Sequence, residues 1–360
     1  MTGCSVDHTH ASVGDELPAR VGVVGAGVIG AAWTARWALC GVDVVVADPS
    51  PSAAGYVATT VAAARAAWQR LGLLPGDEAV ADAGITSGAS GTVTVLAPDA
   101  GAAAAADGAQ LICECVPERL EVKQSAYAEI EAGAAADAVI ASSTSGIRPS
   151  ELQVGMVRPE RLVVGHPFNP VYLLPLVEVV AGARTCEQAV ERATQWFTAA
   201  GMAPLRVRSE IDGFLADRLL EALWREALWL VHDGVATVAE IDEVMRLGFG
   251  LRWAQMGVFQ TYATAGGEGG FRQFVEHFAP TLNLPWTKLT DVPTMTPEFV
   301  EALVRQAEQQ ADGRSVAELC AARDRNLADM LLALEANEWG AGRCLAALRR
   351  RLSSRYHLPR

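Results

Sequence analysis

His166 and Glu178 are the residues whose types and setting most directly suggest chemistry. His166 sits in the run Gly165-His-Pro-Phe-Asn169-Pro170, directly after the apolar stretch Leu162–Gly165. Glu178 lies twelve residues further on, inside Leu176-Val-Glu-Val-Val180. An imidazole titrates near neutral pH, so it can take the hydroxyl proton of an alcohol that is losing hydride. The imidazolium so formed is stabilised when a carboxylate holds the other ring nitrogen. A carboxylate inside an apolar strand is costly unless it is paired. Glu178 therefore predicts a partner, and His166 is the candidate. A core histidine with an unrelated surface glutamate is the plain alternative.

A second constellation lies near the start. Gly25-Ala26-Gly27-Val28-Ile29-Gly30 comes after the apolar run Val21–Val24 and opens a helical stretch. In a dinucleotide-binding turn the first glycine allows the tight bend, the second the close approach of a pyrophosphate, and the third the packing of helix on strand. The diphosphate then rests on the helix N-terminus, where unpaired N–H groups and the dipole favour an anion. Asp48 ends the next predicted strand, eighteen residues beyond Gly30, placed to bind the adenosine ribose hydroxyls. No arginine comes closely after it, which favours NAD over NADP.

These residues need a scaffold of strands and helices. Val21–Val24, Val42–Ala47, Leu111–Cys115, Val139–Ser142, Leu162–Gly165 and Leu176–Val180 read as strands bounded by Gly, Pro or Asp. Trp33–Cys40 and Ala53–Leu71 read as helices between the first of them, and the run Ala102–Ala106 as a surface helix. Alternating strands and helices imply a parallel sheet covered on both faces. Past Ile211 the strands stop. Phe214–His232, Val238–Leu247, Phe271–Phe278, Pro297–Gln310 and Ala317–Glu338 carry apolar residues at helical spacing. The expected fold is α/β, a Rossmann-type doubly wound domain over 20–208, then an all-α domain over 209–345. Residues 1–19 and 346–360 are expected to be tails, the latter solvated or partner-facing, with Arg349–Arg351 and Arg355.

Composition narrows the partners. The 360 residues are 51% apolar and 20% charged, enough for two domains with their own cores. With 29 basic and 42 acidic side chains the formal charge is −13, which disfavours nucleic acid and anionic membranes as partners. Seven widely spaced cysteines are not a disulfide framework, and no second pair stands near Cys113 and Cys115 at zinc spacing, so no metal is expected. No signal-peptide core and no bilayer-length apolar run is present, so the expected location is the cytoplasm. Only two residues are lysines, Lys123 and Lys288.

The phosphate loop, Glu114-Cys-Val-Pro-Glu118-Arg-Leu-Glu-Val-Lys123, Ser142-Ser-Thr-Ser145, the His166–Pro170 run, Glu178 and Gly213-Phe-Leu-Ala-Asp217-Arg together resemble the 3-hydroxyacyl-CoA dehydrogenase superfamily. The resemblance covers most of 20–255. It implies substrate between two domains and a homodimer formed by the helical one. It also implies that His166 is the acid/base, Glu178 its orienting partner, and Ser145 a hydrogen-bond donor to the reacting oxygen. Glu118, Lys123 and Asn169, with Ser145, would line the cofactor. Two positions depart from the family's usual asparagines: Ser143 and Asp217. A carboxylate at Asp217, facing substrate, argues for a cation nearby.

The helix after Asp48 offers mainly Ala63, Ala64, Ala66 and Ala67 where coenzyme A phosphates would need Lys or Arg, with Arg65 and Arg70 as exceptions. Downstream, Arg252–Phe259, Tyr262, Gly266–Gly270, Leu284-Pro-Trp-Thr-Lys288 and Glu338–Gly342 resemble the carnitine-oxidising branch of the superfamily. That branch implies L-carnitine, a 3-hydroxy acid carrying a quaternary ammonium, as the small-molecule substrate. Such a cation has no N–H to donate and is met by aromatic faces and carboxylates. Trp253, Phe259, Tyr262 and Trp286 are candidates for a cage, Asp217 for the countercharge and Arg252 for the substrate carboxylate. Aromatic residues at these spacings also suit helix packing or a dimer interface. Acyl-CoA and L-gulonate dehydrogenases share the catalytic residues, and a non-catalytic NAD-binding protein could reuse the fold.

Overall fold

The computed structural model describes residues 16–74, 90–265, 296–299, 301–302 and 315–356, with single residues at 274, 287, 294 and 313. The chain divides into two compact units, Met1–Asp212 with Ala347–Arg360, and Gly213–Ala346.

The first unit is built on a twisted sheet with helices packed against its strands. Its strands are β1 (Arg20–Val24), β2 (Asp43–Ala47), β3 (Val93–Val95), β4 (Leu111–Glu114), β5 (Val139–Ser142), β6 (Leu162–Pro167), β7 (Leu176–Ala181) and β8 (Ala203–Val207). They lie in the order β3-β2-β1-β4-β5-β6-β7-β8. The helices are α1 (Val28–Leu39), α2 (Ala53–Arg70), α3 (Gly101–Ala106), α4 (Leu120–Gly133), α5 (Pro149–Leu152) and α6 (Glu187–Ala199). The strand order reverses between β1 and β4, and the crevice this opens at the strands' carboxyl ends is where doubly wound sheets take a ligand.

The central strands β4 and β5 are completely buried, as strands of a sheet with helices on both faces are, and are apolar apart from the terminal Glu114 and Ser142. Helix α1 is buried nearly all round, with Trp33, Trp37 and Phe197 of α6 stacked at ring separations of 5.4 to 6.1 Å. One pairing departs from the expected parallel sheet: β6 and β7 are antiparallel. The connection 168–175 is too short for the crossover of a dozen or more residues that a parallel neighbour requires. Two strands are additional to those read from the sequence, β3 and β8, and both are sheet edges.

The second unit is helical in its described parts: α7 (Ala216–His232), α8 (Val238–Val244), α9 (Gly250–Ala265) and α10 (Val316–Ala336). Capping boxes start two of them, Thr237 with Glu240 and Ser315 with Glu318, each satisfying two otherwise orphaned N–H groups. The expected helices over 271–278 and 297–310 lie largely outside the described residues, and so does most of the expected N-terminal tail.

The stretch from 346 is not a tail as far as Tyr356. It continues α11 (Ala341–Tyr356), whose last part belongs to the first unit. Leu348 and Leu352 are buried, each stabilising by about 1.5–3 kcal/mol, while Arg350 faces solvent. A Cβ added to Gly201 would lie 2.7 Å from Leu348, so the helix packs closely on the turn after α6. Arg349 donates to the Leu71 and Gly72 carbonyls at 2.6 and 2.9 Å, satisfying oxygens that the end of α2 leaves open. The arginines read as a charge run in the sequence, and they mask the leucine face that lies between them.

Candidate active site

The register aligns one row of residues across the sheet: Val24, Glu114, Ser142 and Val164 are successive partners in β1, β4, β5 and β6. The residues C-terminal to each of them emerge at the same edge. That places the glycine loop, Cys115–Glu118, Ser143–Ser145 and His166 along one rim.

The three loop glycines have three distinct environments. Gly25 has φ +93°, a left-handed bend that side chains disfavour, and a Cβ there would sit 2.6 Å from the Cys115 carbonyl oxygen. A Cβ on Gly30 would lie 1.8 Å from the Gly25 oxygen, so helix and loop touch backbone to backbone. Gly27 has nothing within 4 Å of that position. It begins α1 with no side-chain cap, and Gly27 and Val28 are exposed. Asp48 accepts from the Ala26 N–H at 2.6 Å and from the Ser50 N–H at 2.8 Å, so its carboxylate also fastens the loop. A cleft of about 1000 Å³ runs from Gly25, Gly27 and Asp48 to Gly101 and Glu129. The open backbone at Gly27, the acidic residue and a cleft of this size fit an extended dinucleotide, with the diphosphate at Gly27–Ile29 and the adenosine ribose at Asp48.

His166 and Glu178 are direct partners in the antiparallel β6–β7 ladder. Nδ1 of His166 lies 2.9 Å from Oε2 of Glu178, with both side chains buried. An ionised carboxylate only accepts, so Nδ1 is the donor in this contact and Nε2 is the ring nitrogen turned away from Glu178. The ring also packs on Phe168 at 4.7 Å.

The loop after β5 is held from below by Glu118. Its Oε1 accepts from the Ser145 N–H at 3.0 Å, the Gly146 N–H at 3.3 Å and the Thr144 hydroxyl. Burial alone would raise the Glu118 carboxyl, but the Thr144 hydroxyl and the Lys123 charge hold it below its usual range. Lys123 is sealed from solvent, 3.2 Å from Glu118 and 2.9 Å from a fully buried Glu114. Ser145 and Asn169 are exposed. Ser143, one of the departures from the family pattern, accepts from the Trp33 indole N–H at 3.0 Å, and Cys115 lies 3.4 Å from its hydroxyl. Burial pushes the Cys115 thiol up to about 12, so it is a thiol and not a nucleophile at neutral pH.

Residues 20–211 match the NAD-binding domain of 3-hydroxyacyl-CoA dehydrogenases, and residues 213–302 match their C-terminal domain. The chain belongs to the 3-hydroxyacyl-CoA dehydrogenase family. Its first unit is the family's NAD-binding domain, and NAD is the cofactor of that domain. An L-carnitine dehydrogenase of Mesorhizobium japonicum is 49% identical over 90% of this chain and 86% of its own length. An L-carnitine dehydrogenase/betainyl-CoA thioesterase of Agrobacterium fabrum is 48% identical over 93% of this chain, which spans 66% of that protein. Among solved structures, a 5-formyl-3-hydroxy-2-methylpyridine 4-carboxylic acid 5-dehydrogenase described as an NAD+ dependent dismutase is 28% identical, with a TM-score of 0.74. The match covers 88% of this chain and 98% of that one.

Of the residues expected to meet substrate, Ser145 lies in the first unit and the others in the second. Asp217 is half-buried in the first turn of α7, and Arg252 is exposed on α9. Trp253 packs on Phe249 at 4.4 Å, Tyr262 stacks on Phe274 at 4.5 Å, and Phe259 is 74% exposed. Trp253 and Tyr262 thus each have an aromatic neighbour that their role as cage candidates did not anticipate. Trp286, Lys288 and the glycine run 266–270 lie outside the described residues. Glu114, Tyr127 and Ser142 were not among the residues expected at the site. The signal that points to Glu178, a carboxylate within an apolar run, points equally to Glu114, which ends the run Leu111–Glu114.

Proposed function

We propose that this protein oxidises L-carnitine to 3-dehydrocarnitine with NAD, in the cytoplasm. The observation that carries the substrate is the activity of the relatives nearly half identical to this chain along nine-tenths of its length. Gly25–Gly30 and Asp48 would hold NAD, which would supply the acceptor for the hydride leaving C3. His166 Nε2 takes the 3-hydroxyl proton as the carbonyl forms. Glu178 at 2.9 Å then faces an imidazolium, and the ion pair stabilises the charge as it develops. Ser145 donates to the reacting oxygen, and Glu118 and Asn169 complete the cofactor side; Lys123, sealed from solvent, does not itself line it. Glu118 acts on the Ser145 backbone and Lys123 acts from behind it.

The substrate is a zwitterion, which gives Asp217 a role that a neutral amide would not fill. Asp217 attracts the trimethylammonium, Trp253, Phe259, Tyr262 and Trp286 offer aromatic faces, and Arg252 pairs with the carboxylate. NADH formation compared across L-carnitine, D-carnitine, 3-hydroxybutyryl-CoA and L-gulonate tests the reading. L-carnitine is expected to give the highest kcat/KM. A preference for the thioester would overturn it.

Self-association belongs to the same reading. Leu219, Leu220 and Trp224 of α7 are 68%, 54% and 55% exposed, an apolar surface suited to a homodimer through the helical unit. Light scattering is expected to give twice the chain mass, and Leu220→Glu with Trp224→Glu to shift it towards the single-chain value. A single-chain mass for the unaltered protein would remove this part.

The free state of the described cysteines, Cys40, Cys113, Cys115, Cys186, Cys320 and Cys344, is in keeping with a reducing compartment. Among the described residues no helix is long and apolar enough to cross a membrane.

A further inference from the structure

Glu114 ends β4 with no exposed surface. Its Oε1 accepts from the Val116 N–H and Lys123 Nζ, both at 2.9 Å. Its Oε2 accepts from Tyr127 Oη and Ser142 Oγ, both at 2.6 Å. Four donors from β5, α4 and the loop after β4 thus converge on one carboxylate. Lys123 carries the connection outward, to Glu118 at 3.2 Å and the Val116 carbonyl at 3.3 Å. Glu118 in turn holds Thr144, Ser145 and Gly146. Ser142 closes the circuit, because its hydroxyl also accepts from the Thr144 N–H at 3.3 Å.

Burying an ion pair this deeply is not explained by stability. Apolar residues of similar volume often serve a fold equally well or better. What charges add is direction: the carboxylate–ammonium–carboxylate chain ties the four donors on Glu114 to Glu118 in one connected network.

We infer that Glu114 is a positioning residue, which through Lys123 and Glu118 fixes the backbone of Thr144–Gly146 and so presents Ser145 to the reacting oxygen. The inference rests on the dehydrogenase reading above, and it adds a residue that touches neither cofactor nor substrate.

The groups facing Lys123 define what its loss would do. They are Glu114 at the end of β4, Cys115 just after it and Glu118 from the loop, with Tyr127 of α4 on the far oxygen of Glu114. Burial alone would lower the ammonium pKa, but the charge and hydrogen bond of Glu114, together with those of Glu118, raise it above the ordinary value. Burial and the adjacent Glu114 push the Tyr127 phenol well up, so it stays a donor. Cys115 stays a neutral thiol for the reason given above. With Glu114 neutral, burial dominates at Lys123 and its pKa falls. Rising pH would then discharge the ammonium and release Glu118.

Glu114→Gln tests this, with kcat and KM measured from pH 6 to 10 on whichever 3-hydroxy acid the unaltered enzyme turns over fastest. Failure on L-carnitine itself therefore touches only the substrate assignment. The variant is expected to lose about 100-fold in kcat, the scale of a reacting group misplaced by about 1 Å. KM for NAD should change far less, and a decline with rising pH should appear that the unaltered enzyme lacks. Glu114→Gln with Lys123→Met removes both buried charges, which guards against a single variant that does not fold. That double variant should bind NADH, lose the alkaline decline and still show the low kcat. Unaltered kcat in either variant would overturn the inference, and so would equal losses in kcat and in NADH affinity.

Discussion

Replacing His166 by Asn should lower turnover by about 10²- to 10⁴-fold while leaving NADH affinity within about twofold, because a positioned general base contributes on that scale to kcat and not to cofactor binding. The ring sits opposite Glu178 in the β6–β7 ladder, whereas the glycine loop and Asp48 follow β1 and β2. The two functions are therefore separable by mutation. Asparagine keeps a polar side chain near Glu178 and avoids leaving a buried carboxylate with no donor, which would cost stability as well as activity. Stopped-flow measurement of hydride transfer, with nucleotide fluorescence for NADH binding, distinguishes the effects. Turnover within tenfold of the unaltered enzyme would remove His166 from the chemistry.

The second large effect is at the glycine loop, where the structure predicts opposite origins for two similar substitutions. Gly30→Ala puts a methyl 1.8 Å from the Gly25 carbonyl oxygen, and backbone on both sides must move. Overpacking of this kind costs about 1–3 kcal/mol. Loss of the loop geometry should weaken NADH binding by about 10- to 100-fold, as each 1.4 kcal/mol is a factor of ten. The melting temperature should fall by several degrees, since about 1 kcal/mol shifts it by about 2–4 °C in units of this size. Gly27→Ala meets nothing within 4 Å, so its melting temperature without nucleotide should be unchanged. Its methyl occupies the space proposed for the diphosphate, and binding should weaken all the same. Calorimetric melting with and without NADH separates the two. Equal Tm losses would contradict the assignment of Gly27 as the open position.

The parts of the fold legible in the sequence were those whose residues serve one purpose. The central strands β1, β4, β5 and β6 are buried almost throughout and read as short, nearly continuous apolar runs. Strand β8 was hidden because an edge tolerates what a central strand does not: Ala203-Pro-Leu-Arg-Val207 carries a proline and two exposed residues. The antiparallel sense of β7 was hidden because strand patterns carry no direction, and only the short connection decides it.

Of the candidate site, the His166–Glu178 pairing came from the cost of burying a charge. The same reasoning applied to Glu114 would have found the buried network. Lys123 stood out by rarity and by the family resemblance, not by any local pattern. Its position behind Glu118 depends on α4 laying Lys123 and Tyr127 against the same carboxylate, one turn apart, which no local motif announces. The aromatic residues of α9 had two readings from the start, and the pairing of Trp253 with Phe249 at i,i+4 is helix packing of the ordinary kind.

The return of α11 to the first unit has a consequence for how the chain is made. The carbonyls of Leu71 and Gly72 wait for Arg349, and the turn at Gly201 waits for Leu348. Between them the ribosome must finish all of Gly213–Ala346, on the order of ten seconds at about 5–20 residues per second. During that interval the nascent cofactor unit has an uncovered apolar strip, a site for a chaperone to hold. Expressing residues 16–212 alone would make that temporary state permanent.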